Sequence, residues 1–132
     1  MAIQQISVFL ANKPGSLDRL THALSDGGVD LRAISVSEAA DYGIARLLAD
    51  DPDKAAAALN GADFIFTRSP VLVCPVPDVA GGLSKLLVLL TETGINIEYM
   101  YSCTVGQNAK TAYMIFRVAD PEIGRASCRE RV

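Results

Sequence analysis

The sequence predicts an α+β fold of tandem ferredoxin-like βαββαβ repeats, the second truncated after its third strand. Three observations carry that expectation. Apolar residues alternate at period two in short runs, then recur at helical spacing in the runs that follow. Glycine and proline pairs punctuate each change of period. The whole pattern then restarts at Val71.

Ile3–Leu10 places Ile6, Val8 and Leu10 on one face and Gln5 and Ser7 on the other, the pattern of a half-buried strand. A Pro14-Gly15 corner follows, with Ser16 expected as helix N-cap and Asp18 in the first turn. Leu17, Leu20 and Leu24 form one helical face, and Gly27-Gly28 ends it. Leu31–Ser37 and Ile44–Leu48 read as strands joined by a turn over Ala40-Asp41-Tyr42-Gly43. Asp51-Pro52 opens a second helix through Ala55–Ala58, which Asn60-Gly61 closes before a short fourth strand, Phe64–Thr67.

From Val71 the series begins again. Val71–Val76 is a strand, Gly81-Gly82 a corner, and Leu83, Leu86, Leu87 and Leu90 a helix face. At a constant offset of 66, Leu10 answers to Val76, Gly15 to Gly81, Leu20 to Leu86 and Leu24 to Leu90, and likewise Gly28 to Gly94 and Leu31 to Ile97. Asp51-Pro52 recurs as Asp120-Pro121 at an offset of 69, so the second hairpin carries three extra residues around Gly106-Gln107-Asn108. Thr111–Val118 is apolar on both faces and is expected to be covered on both sides, with dimerisation as the favoured cover.

Bulk properties narrow the function. The 132 residues suffice for one ordinary domain or two small ones; 50% are apolar and 20% charged, which favours a packed core. A net charge of −3 argues against nucleic acid as the main partner, since duplex binding requires phosphate neutralisation. No apolar run reaches the roughly 18 residues of a membrane span, and the N-terminus does not read as a signal peptide. The three cysteines, Cys74, Cys103 and Cys128, lack metal-type spacing, and a cytoplasmic location fits them best.

The segment Glu122–Val132 is compositionally foreign. It holds Arg125, Arg129 and Arg131 of the chain's 12 lysines and arginines. It resembles translated sequencing-adapter read-through; the alternative is a native basic helix after Pro121. On the first reading the natural chain continues past Pro121 with other residues.

Other candidate chemistry has an ordinary explanation. His22 lies off the leucine stripe and reads as an exposed helix residue. Cys74 and Cys103 sit in apolar strands as buried thiols, and Tyr99, Tyr101 and Tyr113 share a sheet face suited to packing. Asp50, Asp51 and Asp53 mark a helix start and lack the spacing of a calcium loop. No catalytic set, no metal site and no cofactor-binding glycine loop is found.

What remains are the two corners. A glycine there allows a tight turn and close approach of a small molecule, and the helix N-terminus behind it suits a carboxylate. An alternating strand, then Asn12-Lys13-Pro14-Gly15-Ser16-Leu17, a leucine-rich helix and Gly28-Val29-Asp30-Leu31, resembles an ACT domain. Asp78-Val79-Ala80-Gly81-Gly82-Leu83 leading to Asn96-Ile97 is similar to the second repeat of small stand-alone tandem ACT proteins. The resemblance covers Met1 to Pro121 and divides the chain into a first repeat (1–69), an incomplete second (70–121) and a non-native tail (122–132).

The resemblance implies an allosteric, regulatory, non-enzymatic protein that binds an amino acid between repeats. Ligand-binding residues would be Asn12, Lys13, Pro14, Gly15, Ser16 and Leu17, with Asp30 and Leu31 opposite. At the second corner they would be Asp78, Val79, Ala80, Gly81, Gly82 and Leu83, with Asn96 and Ile97. There Val79-Ala80 departs from the family's Lys-Pro, so the first corner is the stronger site. A homodimer is expected, without nucleic-acid or membrane partners. Two other classes stay open: a docking or dimerisation module without ligand, and a minor enzyme dependent on His22 or a cysteine.

Overall fold

The structure, a computed structural model, describes residues 2–39, 41–103 and 110–119. These form six strands and three helices: β1 (Ala2–Ala11), α1 (Ser16–Asp26), β2 (Leu31–Ala39), β3 (Tyr42–Ala49), α2 (Pro52–Gly61), β4 (Ile65–Pro77), α3 (Gly82–Glu92), β5 (Ile97–Cys103) and β6 (Thr111–Val118). The chain divides into two compact units. One comprises Gln4–Ser69; the other takes Ala2 and Ile3 and resumes at Pro70.

In the first unit the strand order is β2-β3-β1-β4, counting the early part of β4. β1 runs antiparallel to β3, from Ile6 opposite Leu47 to Ala11 opposite Tyr42. β2 runs antiparallel to β3, from Leu31 opposite Ala49 to Ala39 opposite Tyr42, with an irregularity between Leu31 and Ala33. Ile6, Val8 and Leu10 of β1 are buried with Leu20 and Leu24 of α1, Ala45 and Leu47 of β3, Leu59 of α2 and Phe64. Their removal from water is the main stabilising term for this unit.

Asp51 caps α2 as its position implies: its carboxylate accepts from the backbone N–H groups of Asp53 (3.1 Å) and Lys54 (3.2 Å). Pro52 follows at the start of the helix, where a missing N–H costs nothing.

Four local expectations are corrected. The N-cap of α1 is Gly15, and Ser16 is already helical with no side-chain cap bond, because only the left-handed φ of +88° at Gly15 turns the strand into the helix. Leu17, on the expected buried face, is 42% exposed, since it lies in the first turn, ahead of the part of α1 that meets the core. Gln5, on the expected outer face of β1, is fully buried. Finally, Phe64–Thr67 and Val71–Val76 are not two strands, because β4 runs unbroken from Ile65 to Pro77. Pro70 does not interrupt it, since its fixed φ is compatible with extended backbone and it biases Ser69 the same way.

In the second unit the order is β4-β6-β5, counting the later part of β4. β4 pairs antiparallel with β6 from Leu72 opposite Phe116 to Pro77 opposite Thr111, and β5 with β6 from Ile97 opposite Val118 to Cys103 opposite Tyr113. Leu72, Cys74 and Val76 pack with Leu86 and Leu90 of α3 and with Met114, Phe116 and Val118 of β6. Ile115, on the alternate face of β6, is equally buried within the single chain, so the second copy expected to cover this face is not what buries it. The register puts Tyr99, Tyr101 and Tyr113 on one face. Cys74 is buried as expected, whereas Cys103 is only half-buried.

The offset of 66 holds at the level of individual hydrogen bonds. Gly28 N–H donates to Ser25 O (2.9 Å) and Gly94 N–H to Thr91 O (3.0 Å). Val29 N–H donates to Leu24 O (2.9 Å) and Ile95 N–H to Leu90 O (3.0 Å). The extra hairpin residues at Gly106-Gln107-Asn108, the Asp120-Pro121 pair and the Glu122–Val132 tail lie outside the described residues.

Candidate functional site: the strand–helix corner of the first unit

The first corner is shaped by main-chain bonds. Asn12 N–H donates to Asp41 O (3.1 Å), Lys13 N–H to Ala11 O (3.0 Å) and Ser16 N–H to Lys13 O (3.3 Å). The first helical bond of α1 runs from Arg19 N–H to Gly15 O (2.9 Å), so the amides of Leu17 and Asp18 have no intrahelical acceptor. Nothing lies within 4 Å of where a Cβ on Gly15 would stand, so the turn leaves open space in front of it.

Cavities flank the corner on two sides. One, of about 510 Å³, is lined by Lys13, Pro14, Gly15, Ser16 and Arg19 from the corner and α1, by Phe9 of β1, and by Asp63, Phe64 and Ile65 from the passage between α2 and β4. The other, of about 380 Å³, lies towards β2 and β3 and is lined by Asn12, Lys13, Ser16, Leu17, Val36, Glu38 and Gly43 among others. The amide of Asn12 donates to Glu38 across it (3.3 Å). All six predicted residues of the first corner therefore line one cavity or both.

Asp30 and Leu31 do not join them within this unit. Leu31 pairs with Ala49, whereas the corner sits beside Asp41, Glu38 and Gly43. Seven residues of strand separate Leu31 from Glu38, roughly 23 Å at about 3.3 Å per residue. Asp30 is engaged at its own end: its N–H donates to Asp50 Oδ1 (3.1 Å), its carbonyl accepts from Asp50 N–H (3.0 Å), and its carboxylate lies 3.5 Å from Arg32.

The second corner repeats the first bond for bond. Asp78 N–H donates to Lys110 O (2.8 Å), Val79 N–H to Pro77 O (2.9 Å), Gly82 N–H to Val79 O (3.0 Å) and Lys85 N–H to Gly81 O (3.1 Å). Gly81 has φ +85°. The contents differ. Gly82, where the first corner has Ser16, is buried against the Pro77 carbonyl and has no room for a Cβ. Val79, in the place of Lys13, is exposed and uncharged. Leu83 packs against the core of its unit. Ala80 completes the turn. Asn96 and Ile97 lie at the far end of β5, with Ile97 opposite Val118, while the corner sits beside Lys110 and Thr111.

The residues that sequence reasoning missed are Arg19, Asp63, Phe64, Phe9 and Ile65. Arg19 lies with its guanidinium carbon 4.3 Å from the centroid of the Phe64 ring and donates from Nη2 to Ala62 O (2.9 Å). Asp63 adopts φ +62°, alone among the described non-glycine residues in having a positive φ. The one local signal is the turn chemistry of Asn60-Gly61 followed by Asp63. His22 is outside both cavities. Its pKa is raised by the Asp18 carbonyl, 3.0 Å from Nδ1, and by the Asp18 carboxylate at 3.2 Å.

Among the described residues no group of three or more histidines, cysteines or carboxylates is placed to hold a metal, and no helix is long and apolar enough to cross a membrane.

The sequence matches the ACT domain pair family over residues 1–130. The chain belongs to that family. The match runs beyond Pro121, where the resemblance read from the sequence ended. This ACT domain pair is similar to protein BT0572 from Bacteroides thetaiotaomicron, at 35% identity and a TM-score of 0.91, covering 99% of this chain and 89% of that one. The regulatory subunit of aspartate kinase from Thermus thermophilus, in its ligand free form, shares the fold at 16% identity and a TM-score of 0.71, over 96% of this chain and 88% of that one. The same subunit from Thermus flavus shares it at 17% identity and a TM-score of 0.71, over 97% and 89%. No curated protein is similar to the chain in sequence.

Proposed function

We propose that this ACT domain pair is a regulatory, non-enzymatic protein that binds an amino acid at its first strand–helix corner. The observation that carries the reading is the open space around Gly15, flanked by two cavities that Lys13 and Ser16 both line. Membership of the family supports it, as does the kinship in fold with subunits described as regulatory. The α-carboxylate meets the free amides at the start of α1, where the helix dipole favours negative charge. The second corner is degenerate, because a buried Gly82 and a neutral Val79 replace Ser16 and Lys13.

The protein acts in the cytoplasm as a homodimer. Asp30 and Leu31, which the first corner does not reach within its own unit, contribute from the facing copy. Binding across that interface shifts the population towards the docked arrangement by its differential affinity. Residues 1–69 and 70–121 are the two repeats.

A thermal-shift screen of the twenty amino acids, on this chain and on Gly15→Val, tests the reading. A side chain at φ +88° is strained and fills the open space. Stabilisation that rises with ligand concentration, as linkage requires, and is lost in the variant is the expected result. Calorimetry should saturate at one ligand per chain. A well-folded protein that responds to none of the twenty would favour the ligand-free docking module instead.

A further inference from the structure

We infer that Arg19 and Asp63 complete the effector site and that the effector is an amino acid with a large apolar side chain. This rests on the amino-acid reading of the first corner and goes beyond it in the residues it adds and in the ligand it names.

The cavity of about 510 Å³ carries three charged side chains: Lys13 and Arg19 on the α1 side, and Asp63 on the α2–β4 side. Two cations and one carboxylate on the wall of one cavity match a zwitterion, whose carboxylate takes the cations and whose ammonium takes the acid. Arg19 is already positioned for this. Stacking on Phe64 and the bond to Ala62 O fix the guanidinium plane, and that bond uses only part of a five-donor fork. A donor held before binding loses little freedom when the ligand arrives.

Asp63 is fixed by its backbone. The left-handed φ of +62° puts it in a tight passage between α2 and β4, where its N–H donates to Asn60 O (3.3 Å). Aspartate tolerates this conformation better than most residues.

The remaining wall is apolar. Phe9 and Ile65 line the same cavity and are 41% and 72% exposed. Large apolar side chains left in water beside a charged cluster give a ligand a surface to cover. An apolar amino acid satisfies the cations, the acid and this wall at once, whereas an acidic amino acid leaves Phe9 and Ile65 uncovered.

Titration calorimetry of the full chain with L-phenylalanine, L-leucine, L-aspartate and 3-phenylpropionate, which lacks the ammonium, tests the inference. L-Phenylalanine or L-leucine should bind at least about tenfold more tightly than L-aspartate, and 3-phenylpropionate about tenfold more weakly than L-phenylalanine. Asp63→Asn keeps a residue that tolerates positive φ. It should weaken L-phenylalanine about tenfold and leave 3-phenylpropionate unchanged, whereas Arg19→Gln should weaken both. Thermal melts of the unliganded variants establish that they are folded. Tighter binding of L-aspartate, or L-phenylalanine binding unaffected by Asp63→Asn, would overturn the inference. If an amino acid still bound and Gly15→Val abolished its binding, the regulatory reading would survive that loss. Binding of none of the twenty amino acids would overturn both.

Discussion

The carbonyl oxygen of Pro77 lies against the α-carbon of Gly82, in the space a β-carbon would occupy. Because the obstacle is backbone, it cannot rotate away. Gly82→Ala is therefore expected to destabilise the protein by about 3 kcal/mol, the upper end for overpacking. Gly15→Ala meets no neighbour and should cost about 1 kcal/mol, through its positive φ alone. Denaturant titration of the two variants should rank them in that order, and the reverse order would refute the steric account.

Leu17 and Leu20 occupy one predicted stripe, yet only Leu20 is buried. Leu20→Ala should cost about 2–5 kcal/mol. Leu17→Ala should stay within about 0.5 kcal/mol, as at other exposed positions. Equal losses in urea unfolding would mean that Leu17 is covered in solution.

Asp51→Ala removes the acceptor for two backbone N–H groups at the start of α2. A loss of about 1 kcal/mol is expected, with Asp51→Ser largely restoring it. Equilibrium unfolding measures both; no difference between wild type and Asp51→Ala would count against the cap.

His22 should titrate above its ordinary value of 6.5, because the Asp18 carbonyl and then its carboxylate favour the protonated ring. The folded state thus binds this proton more tightly than the unfolded state. Its small stabilisation is fully present below pH 6.5 and is lost as pH rises through the folded pKa. NMR titration should find the pKa lowered in Asp18→Asn, though not to its ordinary value while the carbonyl bond persists. A pKa at or below 6.5 in the wild-type protein would contradict the geometry.

Much of the fold is legible because its causes are local. Leu20, Leu24, Leu86 and Leu90 recur at helical spacing, Asp51-Pro52 carries its own cap, and the glycines at 28 and 94 must be where φ turns positive. The misses have distant causes. Gln5 is buried although its parity points outward, and no alternation pattern records what covers a strand from elsewhere in the chain. β4 reads as two strands because Pro70 looks like punctuation, yet proline also fits extended backbone. Within the site, the corner was visible as a motif. Arg19 was not, since its role depends on Phe64, 45 positions away (64 − 19), and Asp63 enters only through the turn that brings β4 beside the corner.

Peptide groups make the bonds that shape both corners, and nearly every residue type carries the same ones. The two turns can therefore share one set of main-chain bonds while carrying different side chains, within the room each leaves. Lys13 against Val79 and Ser16 against Gly82 are such differences, carried on two backbones that agree bond for bond.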